Sequence, residues 1–85
     1  MHFVYIVRCA DGTFYTGYAL DPAARTTIHN SGRGAHYTAS RRPVALVYSE
    51  CLETKSAALK REHQLKQLTR AEKQALIASV TTGPT

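Results

Sequence analysis

The sequence predicts an α+β fold in which one three-stranded antiparallel sheet is flanked by helices. Two stretches rich in β-branched and aromatic residues, at 3–9 and 13–18, are separated by a turn signal, and a third follows at 44–51. Capping residues precede the helical segments between and after these strands. A chain of 85 residues has room for one domain, and a single sheet covered by helices is its economical arrangement.

The loop between the first two strands decides which side chains share a face of the sheet. A two-residue loop would place Tyr5 and Tyr15 on opposite faces. A three-residue loop, with Gly12 in the left-handed region, shifts the register by one residue and pairs Tyr5 with Gly17. Glycine inside a short strand often marks a close approach, here beside Tyr5. We predict this bulged loop, although each tyrosine taken alone could be an ordinary half-buried sheet residue.

The first helix is predicted to begin at Pro22 and to reach about His29, because Asp21 is a good cap and proline suits the first helical position. A flexible, basic, glycine-containing loop follows at 30–34 and continues to residue 42. A short helix is expected within it at about 36–40.

Two further helices are predicted after the third strand. Thr54 caps a helix that reaches about Leu68, and Thr69 with Glu72 forms a capping box for a last helix through about residue 80. We therefore expect one domain over residues 1–80 and a disordered tail over 81–85.

The composition favours a polyanionic partner. Lys and Arg number 11 against 6 Asp and Glu, a formal charge of +5, although many small basic proteins bind nothing specific. The two cysteines, Cys9 and Cys51, are expected to be reduced thiols. The start shows no secretory leader, and no apolar run approaches the ~20 residues that span a bilayer. We expect a cytoplasmic protein without a membrane partner.

Arg25 and His29 are four residues apart on a helix, so they share a face. That helix carries no other charge after Asp21, and an isolated Arg and His suit an anion. A solvated surface pair is the plainer alternative.

Glu62 is the most informative polar position. Ala58, Leu59 and Leu65 lie three or four residues from it and should form the apolar stripe that faces the sheet. A carboxylate within that stripe needs a cation, because burying it unpaired is expensive. The cation would be a metal ion or, in a purely structural ion pair, Arg25 or Arg61.

These residue types match what phosphodiester hydrolysis requires. A carboxylate can hold a hard divalent metal, an arginine can stabilise charge on the phosphoryl group, and a general base can prepare water. A tyrosine with a pKa near ~10 is a poor base unless nearby cations stabilise its phenolate.

The spacing resembles the GIY-YIG nuclease superfamily, most closely its small stand-alone bacterial branch related to the YhbQ proteins. The resemblance covers Phe3 to about Ile77. Phe3-Val4-Tyr5 corresponds to the Gly-Ile-Tyr motif and Tyr15-Thr16-Gly17 to Tyr-Ile-Gly, and the family's arginine, its His or Tyr and its glutamate correspond to Arg25, His29 and Glu62. The segment 29–35 resembles that branch's glycine-rich loop, and 58–62 resembles the helix that bears the glutamate. Two departures are Phe3 in place of glycine and the lack of any asparagine after the glutamate, Asn30 being the chain's only one.

The resemblance implies a GIY-YIG endonuclease fold and a DNA endonuclease that leaves a 5′-phosphate and a 3′-hydroxyl. Tyr5 or Tyr15 would be the general base, and Arg25 would bind the scissile phosphate. His29 would assist proton transfer or contact phosphate. Glu62 would be the sole protein ligand of Mg²⁺ or Mn²⁺, and no small-molecule cofactor is expected.

Substrate preference would come from the catalytic face and the 31–42 loop, since no further domain is expected. The loop residues that could grip phosphates and stack on an unpaired base are Arg33, His36, Tyr37, Arg41 and Arg42. We expect single-stranded or branched DNA, a repair or recombination role, and a monomer or weak homodimer. A non-catalytic nucleic-acid-binding module and a protein-interaction domain are the competing hypotheses.

Overall fold

A computed structural model describes residues 1–81 of the chain, with side chains through Ser79. Three strands form one antiparallel sheet with the order β2-β1-β3, so the first strand is central. The elements are β1 (His2–Arg8), β2 (Phe14–Ala19), α1 (Pro22–Asn30), α2 (His36–Ala39), β3 (Ala45–Leu52), α3 (Lys55–Lys66) and α4 (Arg70–Thr81). The predicted α+β class and the element order are confirmed. Thr81 ends α4, and the rest of the expected tail, 82–85, lies outside the described residues.

The β1–β2 hairpin has the predicted register. Tyr5 pairs with Gly17 and Val7 with Tyr15. The loop is closed by a hydrogen bond of 2.8 Å from the Cys9 N–H to the Thr13 carbonyl, and Gly12 has a φ of +84°. Glycine adopts this left-handed conformation at little cost, and it permits the three-residue loop. Both tyrosines therefore project from the same face of the sheet.

Alternation along β1 divides the core between the two faces of the sheet. Val4 and Ile6 point towards α3, where they pack with Ala58, Leu65 and, from β3, Tyr48. The opposite face carries a second cluster and is covered by α1, whose His29 meets Tyr5. The members of this second cluster are Tyr5, Val7, Cys9, Ala19 and Val44. Tyr5 and α1 thus lie on one face of the sheet, and α3, which carries Glu62, lies on the other. Both helices contact β2.

The helix starts predicted from capping residues are confirmed. The Asp21 carboxylate accepts a hydrogen bond from the Ala24 N–H at 3.1 Å, and the Thr54 hydroxyl accepts one from the Ala57 N–H at 3.0 Å. The capping box at α4 is reciprocal: the Thr69 N–H donates to the Glu72 carboxylate at 2.8 Å, and the Glu72 N–H donates to the Thr69 hydroxyl at 3.2 Å.

The expected apolar stripe on α3 was wrong in one member. Ala58 and Leu65 are fully buried, but Leu59 is 44% exposed. At 100° per residue, Leu65 lies within about 20° of Ala58 around the helix and Glu62 within about 40°, whereas Leu59 lies about 100° away. The buried stripe is narrow, and Glu62 lies at its border.

Asn30 fixes the end of α1 against the start of β3. Its side-chain amide donates to the Val44 carbonyl at 3.0 Å and accepts from the Val44 N–H at 2.7 Å. The chain's only asparagine therefore has a structural position, and it helps to hold the helix that carries Arg25 and His29.

Both cysteines are free thiols, Cys9 buried just after β1 and Cys51 exposed on β3. Among the described residues, no helix has the length and apolar character needed to cross a membrane.

Candidate active site

The Tyr5 ring lies against Gly17 of the edge strand β2, in the space that a side chain at Gly17 would fill. Its side chain is buried, and a Cβ added at Gly17 would lie 2.6 Å from the Tyr5 hydroxyl and 2.7 Å from Cζ. No side chain larger than hydrogen fits opposite Tyr5 in this arrangement. The tyrosine hydroxyl thereby reaches α1, where it lies 2.7 Å from Nε2 of His29.

His29 is held from its other ring nitrogen by the loop after α1. Nδ1 lies 2.7 Å from the Thr38 hydroxyl and accepts a hydrogen bond from the Ala35 N–H at 3.3 Å. A Cβ at Gly34 would overlap the imidazole, so the loop can approach this closely only with glycine there. The buried histidine is therefore fixed in position and is not half of a solvated surface pair.

The contacts at Nδ1 are compatible with either neutral tautomer of His29. The Ala35 N–H at 3.3 Å makes Nδ1 an acceptor and leaves the hydrogen on Nε2. The Thr38 hydroxyl donates its one hydrogen to the Ala35 carbonyl at 2.9 Å, so its contact of 2.7 Å with Nδ1 instead places the hydrogen on Nδ1 and makes Nε2 the acceptor of the Tyr5 hydroxyl. Both tautomers keep the contact of 2.7 Å between Nε2 and the Tyr5 oxygen.

Burial and nearby charges set the protonation states of this pair. Burial, followed by Tyr15 and Glu62, raises the pKa of Tyr5 to about 12, while Arg25 acts in the opposite direction. Burial, and after it the positive charge of Arg25, lowers the pKa of His29. In the protein without ligands Tyr5 is a neutral phenol and His29 a neutral imidazole at pH 7. Arg25 and Glu62 are both close enough to act electrostatically on Tyr5.

Tyr15 contacts the same histidine and also packs against Tyr37 of α2. Its ring meets the His29 ring edge-on with centroids 5.3 Å apart and lies nearly parallel to the Tyr37 ring at 6.1 Å. The Arg41 guanidinium lies 3.9 Å from the centroid of Tyr37. Tyr5, Tyr15 and His29 are therefore in mutual contact, as their placement on one face requires.

Arg25 is exposed on α1 and borders a groove of about 370 Å³ that Lys55 and Tyr18 also line. Its positive charge acts on both Tyr5 and His29, because it lowers the pKa of each.

Glu62 is partly buried, and its ion-pair partner is neither Arg25 nor Arg61. Its side chain is 18% exposed, and its Oε2 lies 3.2 Å from the Lys66 ammonium one helical turn later. Arg61 instead pairs with Glu50 at 2.9 Å, and no ion pair joins Glu62 to Arg25 among the described residues. The alternative of a structural ion pair with Arg25 or Arg61 is therefore not observed, and among the described residues Lys66 is the cation that pairs with this carboxylate.

The donor set around Glu62 fits a weakly held hard cation. Within the part of the chain that the structure describes, no three His, Cys, Asp or Glu side chains are grouped to hold a metal ion. A single carboxylate suits Mg²⁺, which keeps several waters and commonly binds through one or two carboxylates plus substrate phosphates. Mn²⁺ accepts similar oxygen ligands.

The basic loop residues divide into two kinds. Arg33 and His36 are exposed. Arg41 donates to the Asp11 carboxylate at 3.1 Å and to the Tyr37 carbonyl at 2.8 Å, and Arg42 donates to the Ala39 carbonyl at 2.9 Å. These two arginines help to hold the loop in place.

Sequence reasoning missed several residues around this site. Gly34 lets the loop approach His29 because it has no side chain, and the hydroxyl of Thr38 contacts the His29 ring. Lys66 and Lys73 line a cleft beside Tyr15. The glycine-rich segment was a signal for the first, whereas nothing in the sequence singles out one threonine or two lysines.

Lowering the pH is expected to destabilise the protein through His29. Its folded-state pKa is below the unfolded value, so its contribution to stability is present above pH ~6.5 and is lost as the pH falls towards the folded-state pKa. Urea unfolding at about pH 7.5 and about pH 5 measures this loss, and His29→Gln, which cannot titrate, should lose less between the two conditions. An equal loss in both proteins would contradict the assignment.

Tyr5, Tyr15 and His29 cluster on one face of a three-stranded sheet, and comparison with known proteins identifies the class of protein. The model of the GIY-YIG catalytic domain matches residues 1–75. The chain belongs to the GIY-YIG family. This confirms the resemblance inferred from the two tyrosine motifs.

Its relatives are small proteins of similar length. A UPF0213 protein of Staphylococcus aureus (strain Mu3 / ATCC 700698) is 62% identical over 76 residues, which cover 89% of this chain and 93% of the relative. The solution NMR structure of a UPF0213 protein from Bacillus halodurans is 42% identical, with a TM-score of 0.59 over 98% of this chain and 87% of that one. A protein from E. faecalis, also solved by NMR, is 43% identical, with a TM-score of 0.63 over 99% and 90% of the two chains.

Proposed function

We propose that this protein is a divalent-metal-dependent DNA endonuclease that hydrolyses phosphodiester bonds. The observation that carries the proposal is the contact of 2.7 Å between the buried Tyr5 hydroxyl and Nε2 of His29, with Arg25 and Glu62 in electrostatic range. Membership of the GIY-YIG family supports nuclease-type chemistry. Tyr5 is the general base in this proposal, because its oxygen is the one that His29 positions.

His29 positions the Tyr5 hydroxyl through the 2.7 Å contact with Nε2. The positive charge of Arg25 favours the phenolate form of Tyr5. Burial, Tyr15 and Glu62 oppose it and dominate in the protein without ligands, where the pKa is about 12. Ionisation therefore requires further positive charge near Glu62, which supports a role for a cation there.

The remaining residues bind substrate and cation. Glu62 would be the only protein ligand of Mg²⁺ or Mn²⁺, with Lys66 displaced from its carboxylate. The cation, when bound, supplies positive charge that stabilises the anions formed during hydrolysis. Arg25 binds the scissile phosphate, and Tyr5, once its own proton has passed to solvent, accepts a proton from the attacking water as the new P–O bond forms. The P–O3′ bond breaks, and the departing 3′ oxygen takes a proton from solvent, which leaves a 5′-phosphate and a 3′-hydroxyl.

The preferred substrate in this proposal is single-stranded or branched DNA, in repair or recombination in the cytoplasm. The site lies beside β2, an edge strand of the sheet. Arg33 and His36 are exposed and would contact phosphates, whereas a base that stacks on Tyr37 would have to displace the Arg41 guanidinium from its ring.

Labelled single-stranded, duplex and branched DNA, incubated with Mg²⁺, Mn²⁺ or a chelator, tests the proposal. We expect metal-dependent cleavage that stops in chelator, and a rate about a hundredfold lower for Glu62→Gln, since metal charge stabilisation contributes several kcal/mol. Glu53→Gln removes an exposed carboxylate on the turn before α3 and should cleave like the parent.

Two outcomes would overturn parts of this assignment. Salt-sensitive DNA binding without cleavage in either metal would favour a non-catalytic binding module. Unchanged cleavage by Glu62→Gln would exclude Glu62 as the metal ligand.

A further inference from the structure

A second cleft adjoins the site on the Tyr15 side. It has a volume of about 270 Å³ and is lined by Phe14, Tyr15, Thr16, Tyr37, Lys66 and Lys73. Small-molecule sites usually occupy about 300–1,000 Å³, so this cleft is small for a whole cofactor and suits a single compact group.

Two ammonium groups border this cleft. Lys66 ends α3 and Lys73 lies in the first half of α4, which brings two positive charges from different helices to one opening. Burial and the charge of Lys66 lower the pKa of Lys73. Among the described residues Lys73 has no ion-pair partner, and Lys66 has only Glu62. An anion in the cleft would relieve the repulsion between the two lysines.

Thr16 adds hydrogen-bonding groups to the same place. Cys9 and Thr13 form a hydrogen-bonded pair, so alternation along the ladder makes Ile6 and Thr16 a non-hydrogen-bonded pair. The backbone N–H and carbonyl of Thr16 therefore point away from β1, towards the open edge. Its hydroxyl is buried without a hydrogen-bond partner among the described residues.

The edge of β2 links this cleft to the proposed reacting groups. At one end of the strand, Arg25 and Lys55 border the groove beside Tyr18–Leu20. The Tyr5 ring lies against Gly17 in the middle, and the cleft with the two lysines lies beside residues 14–16. Cations therefore lie on both sides of Tyr5 along one extended strand. A row of cations along an extended strand suits the binding of a flexible polyanion.

We propose that the cleft between Lys66 and Lys73 binds a backbone phosphate of a single nucleic-acid strand that runs along the edge of β2, one that flanks the phosphate held by Arg25. The inference rests on the proposed function and extends it to the path of the substrate. Tyr37 also borders the cleft, where its ring packs against Tyr15 and the Arg41 guanidinium.

Binding of a labelled single-stranded oligonucleotide in chelator, measured by fluorescence anisotropy over a range of salt concentrations, tests this subsite without cleavage. Lys73→Gln should bind roughly fivefold more weakly, and the slope of log K against log salt should fall by about 0.7, the value for one phosphate contact on a single strand. Lys60→Gln makes the same charge change on the exposed side of α3 and should keep the parent slope.

NMR amide shifts distinguish a backbone phosphate from a free one. A trinucleotide should shift the Thr16 amide at concentrations where inorganic phosphate does not. Equal slopes for Lys73→Gln, Lys60→Gln and the parent, or saturation of Thr16 by inorganic phosphate alone at the same concentration, would overturn the subsite. Because these measurements need no cleavage, a failed nuclease assay leaves their outcome intact, and loss of the subsite leaves the nuclease test intact.

Discussion

Tyr5→Phe should cleave DNA about a thousandfold more slowly than the parent while keeping its fold. The substitution removes only the hydroxyl that His29 orients, and a positioned general base typically contributes about 10²–10⁴ in rate. Single-turnover cleavage at saturating DNA measures the loss, since product release then does not limit the rate. Far-ultraviolet circular dichroism and the anisotropy assay check folding and DNA binding.

Tyr15→Phe is the matched comparison, because it deletes the same atom on the same face of the sheet. The Tyr15 ring contacts His29 edge-on, but its hydroxyl makes no hydrogen bond with that residue. We expect a loss of roughly tenfold, in line with a contact that positions other groups. A larger loss for Tyr15→Phe than for Tyr5→Phe would transfer the role of base to Tyr15.

Gly17→Ala should destabilise the fold by about 1–3 kcal/mol, which is the cost expected of overpacking a tight contact. It should also abolish most of the activity. The new Cβ would lie 2.6–2.9 Å from the hydroxyl, Cζ and Cε1 of Tyr5. The aromatic ring must move, and its bond to His29 is lost with that movement. Urea unfolding gives the stability change, and the cleavage assay gives the activity.

A second background isolates the cause of the Gly17→Ala effect. Tyr5→Leu removes the ring atoms that would collide with the new Cβ, so Gly17→Ala should cost much less stability in that protein than in the parent. An equal cost in both backgrounds would show that Tyr5 is not the obstacle.

Local sequence signals were sufficient where the physics is local. Asp21, Thr54 and Thr69 each cap the helix that they were expected to cap, because a capping side chain bonds to a backbone group only two or three residues away. The hairpin register also followed from a local feature, the three-residue loop with Gly12, which determined the face of every side chain in β1 and β2.

The contacts that make the site were not available from such signals. Tyr5 and His29 are 24 residues apart, and Thr38 reaches His29 from a loop whose path depends on Gly34. Leu59 shows the same limit for packing: helical spacing favoured its burial, but the width of the buried stripe depends on how α3 lies against β1 and β2. A periodic pattern gives the direction of a side chain and not the distance to the neighbouring layer.

By itself, the sequence determined the α+β class, the helix starts, the shared face of Tyr5 and Tyr15 and membership of the GIY-YIG family. Only the tertiary structure decided that His29 is buried against the Tyr5 hydroxyl, that Glu62 pairs with Lys66 and that two lysines border the Tyr15 cleft. The physical reason is range. Backbone conformation follows from interactions between close neighbours in the chain, whereas burial, protonation and ion pairing depend on which distant segments the packed layers bring together.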